Sequence, residues 1–265
     1  MSDTTHVAVP ENKKPATPLE AFKLKLQKDY QAQVTNYFMG DKEKAMKFMS
    51  AVVYSTKKTP ALLECDQESL MHSFMTCAEY GLFPSSASGE AYVLPYAGKA
   101  QFQLGYQGIV TLLYGAGVQS ISASIVRKND FFQYEEGLSP ILVHRPDVMS
   151  SDRGEAIGVY AVAIVNGQKM FKVLNKAEVL RFKEFSKAKE SKFSPWNTND
   201  PELWMWKKTC LKQLAKLLPK NEKLMKAIEV DNEDSNIPRS NLDAGGPAVG
   251  AALHAPEPIK SVESK

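Results

Sequence analysis

Cysteine is scarce in this sequence: Cys65, Cys77 and Cys210 are the only three in 265 residues. They lie far apart and none forms a Cys-x-x-Cys pair, which argues against a disulfide framework and the usual zinc spacings and fits a reducing cytoplasm. The histidines, His6, His72, His144 and His254, do not cluster with them. No apolar run approaches the roughly 20 residues of a membrane helix. The N-terminal stretch MSDTTHVAVPENKKP has no apolar signal core, so secretion is not expected. The phosphate loop of nucleotide hydrolases is absent, because Gly98-Lys99 runs into Ala100 and lacks the earlier glycine. Gly105-Tyr106-Gln107-Gly108 is not a dinucleotide fingerprint, and no Ser/His/Asp or Cys/His set stands out. Pro146-Asp147 followed by Glu155 faintly suggests a metal nuclease, but Ala156 and Ile157 follow the glutamate, and ordinary loop carboxylates are the better account. These absences leave no expected catalytic site, metal or cofactor.

Charge is present but unevenly spread. The net charge is only +3. Between Lys169 and Lys226, however, fifteen basic residues face six acids, whereas from Ala227 to Lys265 seven acids face three basic residues. A basic body with an acidic tail suits a polyanionic partner. The same composition also describes an ordinary solvated lysine-rich surface.

The periodicities predict an α+β fold, with a mostly antiparallel sheet flanked by helices and flexible ends. Residues 1–17 read as a flexible segment, 18–230 as one domain, and 231–265 as a disordered acidic tail low in large apolar residues. Three helices are expected first, starting near Pro18, at Asp41 and near Asp66, the last stopped by Gly81 and Pro84. Glu90 to Tyr96 and Lys99 to Leu104 read as strands joined at Ala97-Gly98. A short helix over Gly105 to Tyr114 and a strand over Val118 to Arg127 follow. Ile157 to Val165 and Lys169 to Leu174 flank Asn166-Gly167, the strongest short-range hairpin signal. Helix resumes from Asn175 through Ala188, and again from Asp200 to Leu218.

The last helix carries the most chemistry. Leu203, Trp206, Cys210, Leu214 and Leu217 form one apolar stripe, and Lys208, Lys212 and Lys216 fall four apart on the opposite side. Such a helix can bury Trp206 and present a lysine row to a phosphate backbone, without reading sequence. On the strand before Gly105, Lys99, Gln101 and Gln103 share one face, and Ala100, Phe102 and Leu104 take the core face. Tyr106 offers a ring that either packs inside or stacks on a base. Arg127 and Lys128, at the end of the next long strand, either extend the basic surface or cap it.

At these residues the chain resembles the RecT family. The resemblance rests on Gly81-Leu82-Phe83-Pro84 through Gly89-Glu90-Ala91-Tyr92-Val93-Leu94-Pro95-Tyr96, and on Gln101-Phe102-Gln103-Leu104-Gly105-Tyr106-Gln107-Gly108. Val126-Arg127-Lys128, His144-Arg145-Pro146 and Trp204-Met205-Trp206-Lys207-Lys208-Thr209 follow in matching order, over roughly residues 40 to 230. The resemblance implies a phage or prophage recombination protein of the bacterial cytoplasm. It implies binding of single-stranded DNA and annealing of complementary strands into duplex without ATP, by a homo-oligomeric ring or helical filament. A partner exonuclease and a host single-strand-binding protein are implied as well. Mapped by position, the DNA contacts become Lys99, Gln101, Gln103, Tyr106, Arg127, Lys207, Lys208 and Lys212, with Lys216 continuing the row. Gln107 stands where relatives often carry Arg or Lys, and Tyr114 and Gly115 replace a basic pair found in some relatives, which shifts weight to the C-terminal lysines. A strand protector that binds but does not anneal is the alternative.

Overall fold

Helix boundaries fall where side chains replace missing backbone partners. The computed structural model describes residues 17–186, 189–192, 194–219 and 222–233. The expected flexible segment before Thr17 and nearly all of the expected acidic tail lie outside the described residues. Thr17 and Glu20 form a capping box at the start of α1 (Pro18–Lys25), which continues through a π turn (Leu26–Tyr30) into α2 (Gln31–Tyr37). Asp41 caps α3 (Lys42–Lys58) by accepting from the Lys44 amide at 2.9 Å. Asp66 caps α4 (Gln67–Tyr80) by accepting from the Ser69 amide at 2.8 Å, and Gly81 ends it in the left-handed region. Phe22, Phe38, Phe48 and Phe74 are buried among these helices, where Phe22 meets Phe74 and Phe38 meets Phe48.

The β-rich half follows. Strands β1 (Ala91–Tyr96) and β2 (Lys99–Leu104) pair antiparallel around Ala97 and Gly98, both at positive φ. Helix α5 (Tyr106–Gly115) starts directly at Gly105. Strands β3 (Ser120–Arg127), β6 (Ala156–Val165) and β7 (Gln168–Asn175) form an antiparallel sheet with β6 in the centre. The β6–β7 turn is Asn166-Gly167, at φ 50° and 76°. Between β3 and β6 stands a separate hairpin, β4 (Phe131–Glu135) and β5 (Ile141–Arg145).

Helices α6 (Lys176–Glu184), α7 (Trp204–Ala215) and α8 (Glu222–Glu233) complete the described chain. Helix α7 crosses the β3–β6–β7 sheet and meets α5, while α8 packs on β2, α5 and α4. The α+β class with antiparallel strands and flanking helices stands. Several finer expectations change. Among the described residues the strands form three separate antiparallel units, and one of them, the β4–β5 hairpin, has no counterpart in the strands expected from the sequence. Helix α6 stops at Glu184, short of Ala188. Helix α7 begins at Trp204, because Asp200 is used one turn earlier, accepting from the Glu202 and Trp204 amides. Asp231 and Asn232, expected to open the tail, lie buried in α8.

Among the described residues no helix is long and apolar enough to cross a membrane. The three cysteines are free thiols and all buried.

Candidate nucleic-acid interface

Two sequence motifs meet to build the first wall of the site. The Gly105 amide donates to the Glu90 carbonyl at 2.8 Å. A Cβ on Gly105 would lie 2.0 Å from the Gly89 carbonyl oxygen, and one on Gly108 would lie 2.1 Å from that of Glu90. Only glycine allows this approach. The Glu90 carboxylate accepts from the Phe83 amide at 3.0 Å and from the Thr111 hydroxyl at 3.1 Å. Thus Phe83, the Gly89–Glu90 turn and the start of α5 are locked into one knot, and Tyr106 projects from its rim.

The second wall comes from the entrance to α7. Leu203 sits in the left-handed region at φ 50°, ψ 49°, a conformation that costs a bulky residue about 1 kcal/mol or more. That reversal brings Trp204 against Tyr106, edge to face with centroids 4.9 Å apart. Trp204 remains 44% exposed, so part of the indole is accessible to a ligand. Lys207 lies 4.5 Å over the same ring and pairs with Glu202 at 2.6 Å.

Between these walls lies a cleft of about 510 Å³. Gln103, Tyr106 and Lys208 line it together with Tyr92, Trp204 and Met205. A second cleft of about 360 Å³ opens on the sheet side of the α7 entrance, with Arg127 and Lys207 in its wall. The segment from Asp200 to Trp204 contributes to both. Arg127 sits at a bulge, where the β3–β6 register slips after Val126. Its guanidinium donates to the Gly154 carbonyl at 3.1 Å and the Pro201 carbonyl at 3.5 Å, which fixes its plane.

The structure therefore brings Gln103, Tyr106 and Lys208 together in one cleft and Arg127 and Lys207 in its neighbour. Lys99 and Gln101 share the outward face of β2 with Gln103 but line neither cleft; Lys99 is exposed and Gln101 half-buried. The expected lysine row does not form an exposed face. Lys212 is 8% exposed and donates to Asp231 at 2.8 Å and to the Asn232 side-chain oxygen. Lys208 reaches Asp231 at 3.0 Å, and Lys216 is half-buried, which lowers its pKa. The physical reason is the end of α8, whose Asp231 and Asn232 draw in the Lys208 and Lys212 ammonium groups that the periodicity assigned to solvent. Leu217, placed in the apolar stripe, lies past the end of α7 and is 55% exposed.

Burial pushes the Asp231 carboxyl upward, but Lys208 and Lys212 outweigh it and hold the group at about 2. Burial lowers the pKa of Lys212 in spite of Asp231, since Lys208 and Lys216 add repulsion. Asp231 also accepts from the Leu104 amide at 2.9 Å, so one carboxylate ties α7 and α8 to the end of β2.

The carboxylates of the nuclease-like echo are used locally. Asp147 accepts from the Met149 and Ser150 amides, and Glu155 pairs with Lys176 at 2.6 Å. Among the described residues no three metal-ligating side chains gather. The sequence missed Trp204, Tyr92 and Asp231 as parts of the site. Trp204 carried a signal, an aromatic lying off the apolar stripe, whereas nothing local marked Asp231.

The fold and its clefts define an α+β protein in which aromatic rings, side-chain amides and cations converge at the start of one helix. The chain belongs to the RecT family, which it matches over residues 46–241. It is 34% identical over 188 residues to Protein RecT of Escherichia coli (strain K12), covering 67% of this chain and 68% of that protein. It is 26% identical over 227 residues to the uncharacterized protein YqaK of Bacillus subtilis (strain 168), covering 84% of this chain and 75% of that one. Family membership makes single-strand annealing in DNA recombination its class of activity.

Proposed function

We infer that the protein binds single-stranded DNA without ATP and anneals complementary strands in homologous recombination, using the two clefts at the α7 entrance. The observation that carries this reading is the convergence of Tyr106, Trp204, Gln103 and Lys208 on one cleft with Lys207 and Arg127 beside it. Rings give every base a surface to stack on, worth about 1–3 kcal/mol per base. Cations lower the mutual repulsion of two strands by neutralising phosphates and releasing counterions. Glu202, the more exposed member of the Lys207–Glu202 pair, is the group a phosphate would displace. Base pairing supplies the specificity, and duplex formation is downhill, so no nucleotide hydrolysis is needed. A ring or filament of subunits would hold segments at high effective concentration. An exonuclease that exposes the strand and a host single-strand-binding protein in the bacterial cytoplasm complete the proposed setting.

Stacking and charge separate in a salt titration. Trp204→Ala weakens binding of an oligothymidylate by about 1–3 kcal/mol and leaves the slope of log affinity against log salt unchanged. Lys99→Gln with Lys207→Gln makes that slope less negative by about 0.7 for each phosphate no longer neutralised. If neither folded variant differs from wild type, these residues do not touch the strand. A protector that binds without annealing gives the same titration and slows hybridisation.

A further inference from the structure

The cleft holding Arg127 and Lys207 contains a hydrogen-bond network that strand binding by stacking and charge leaves unused. Asp130, at the turn after β3, has a fully buried side chain. It accepts from the Arg153 guanidinium at 2.9 and 2.7 Å, from the Arg127 amide at 2.9 Å, and meets His144 Nε2 at 3.0 Å. His144 Nδ1 lies 3.2 Å from the Tyr160 hydroxyl. Ser124, Arg127, His144, Arg153, Tyr160 and Lys207 all line the cleft. The Tyr160 ring is stacked on Phe132, and the His144 ring stands edge-on to both.

This geometry fixes where the protons are. The Arg153 guanidinium, first among its partners, holds the Asp130 carboxyl well below the usual carboxylate range, so it only accepts. Neutral His144 must therefore carry its proton on Nε2, and Nδ1 must accept from the Tyr160 O–H. When Nδ1 takes up a proton it becomes a donor to the Tyr160 oxygen. The hydroxyl hydrogen must then turn away, and the cleft is where a new acceptor can reach it. One proton thus adds a positive charge and an O–H donor to the same cleft.

We propose that this cleft is a phosphodiester subsite whose donor set is completed when His144 is protonated, with Tyr160 supplying the switched donor. The ligand is a backbone phosphate of the bound strand, so the proposal rests on the DNA-binding reading above. The charged groups around His144 are Asp130 after β3, Arg153 in the loop before β6, and Tyr160 on β6. Arg127 on β3 and Lys207 on α7 face it across the cleft, with Glu202 the acid on that wall. A phosphate bound there attracts, and so favours, a charged imidazole. By linkage, protonation tightens the phosphate by the same factor.

The test is the affinity of the full-length protein for oligothymidylate, whose bases do not titrate here, carrying a pH-insensitive fluorophore. It is measured at constant ionic strength at an acid end of about pH 5 and an alkaline end of about pH 8. Wild type should bind about fivefold tighter at the acid end. His144→Gln should be flat. Tyr160→Phe, which keeps the ring on Phe132, should lose more affinity at the acid end than at the alkaline end. A wild-type pH profile in folded His144→Gln, or an equal loss at both ends in Tyr160→Phe, overturns the switch and leaves DNA binding standing. Wild type that fails to bind at any pH overturns both.

Discussion

Asp231 shows how much a single buried carboxylate decides. It receives two ammonium groups and one backbone amide, and it is almost wholly shielded from solvent. Replacing it leaves Lys212 charged and buried without its counter-ion, a loss of about 3–5 kcal/mol. Asp231→Asn should therefore unfold at markedly lower urea concentration. The pH dependence has a definite sign. A carboxyl depressed to about 2 stabilises fully above the unfolded value of about 4 and loses that contribution as pH falls through about 2. The stability gap between wild type and variant should hold at neutral pH and narrow on acidification below about pH 4. A gap that does not respond to acid would remove the ion pairs as its cause. The sequence did not disclose this residue, because it sits in an acid-rich stretch whose composition resembles a solvated tail. Its partner Lys212 was visible as a cation, but periodicity alone cannot tell a solvent face from one covered by a later helix.

At the scale of elements, the legible parts were those with local causes. Asp41 and Asp66 act through their carboxylates on amides three residues on, Gly81, Ala97-Gly98 and Asn166-Gly167 act through their own backbone, and each does what its residue type suggests. The β4–β5 hairpin escaped because it is short and half-exposed, so its alternation is weak, and Glu136 to Pro140 separate its strands without a tight Asn-Gly turn. The left-handed Leu203 was not legible either, since nothing in leucine announces positive φ. The Gly-Tyr-Gln-Gly motif, by contrast, now has a mechanical meaning: it allows α5 to start against the Gly89–Glu90 backbone. Gly108→Ala inserts a Cβ where a carbonyl oxygen stands 2.1 Å away. It should cost about 1–3 kcal/mol or more, read as a drop in melting temperature. Gly115→Ala, with open space around its Cβ position, is the matched control and should melt like wild type. Equal melting of both variants would contradict the knot.

For the whole molecule, the uneven charge was legible and its placement was not. The basic stretch from Lys169 to Lys226 does not form one cationic stripe: part of it is buried against α8, and part is tied to Glu155, Glu184, Glu202 and Glu222. At the α7 entrance Lys207 and Lys208 lie beside aromatic rings, each paired with a carboxylate, with Arg127 in the second cleft, so the proposed strand contact should have both a salt-sensitive and a salt-tolerant component. The central claim is that such clefts let two strands that repel each other meet and pair. The most direct measurement is the rate of hybridisation of two complementary fluorescent oligonucleotides with purified protein, without nucleotide, over a range of ionic strengths. The account predicts faster pairing than in buffer, with the acceleration lost in Trp204→Ala combined with Lys207→Gln. Pairing no faster than in buffer at every ionic strength, by a folded protein that binds the single strands, would contradict it.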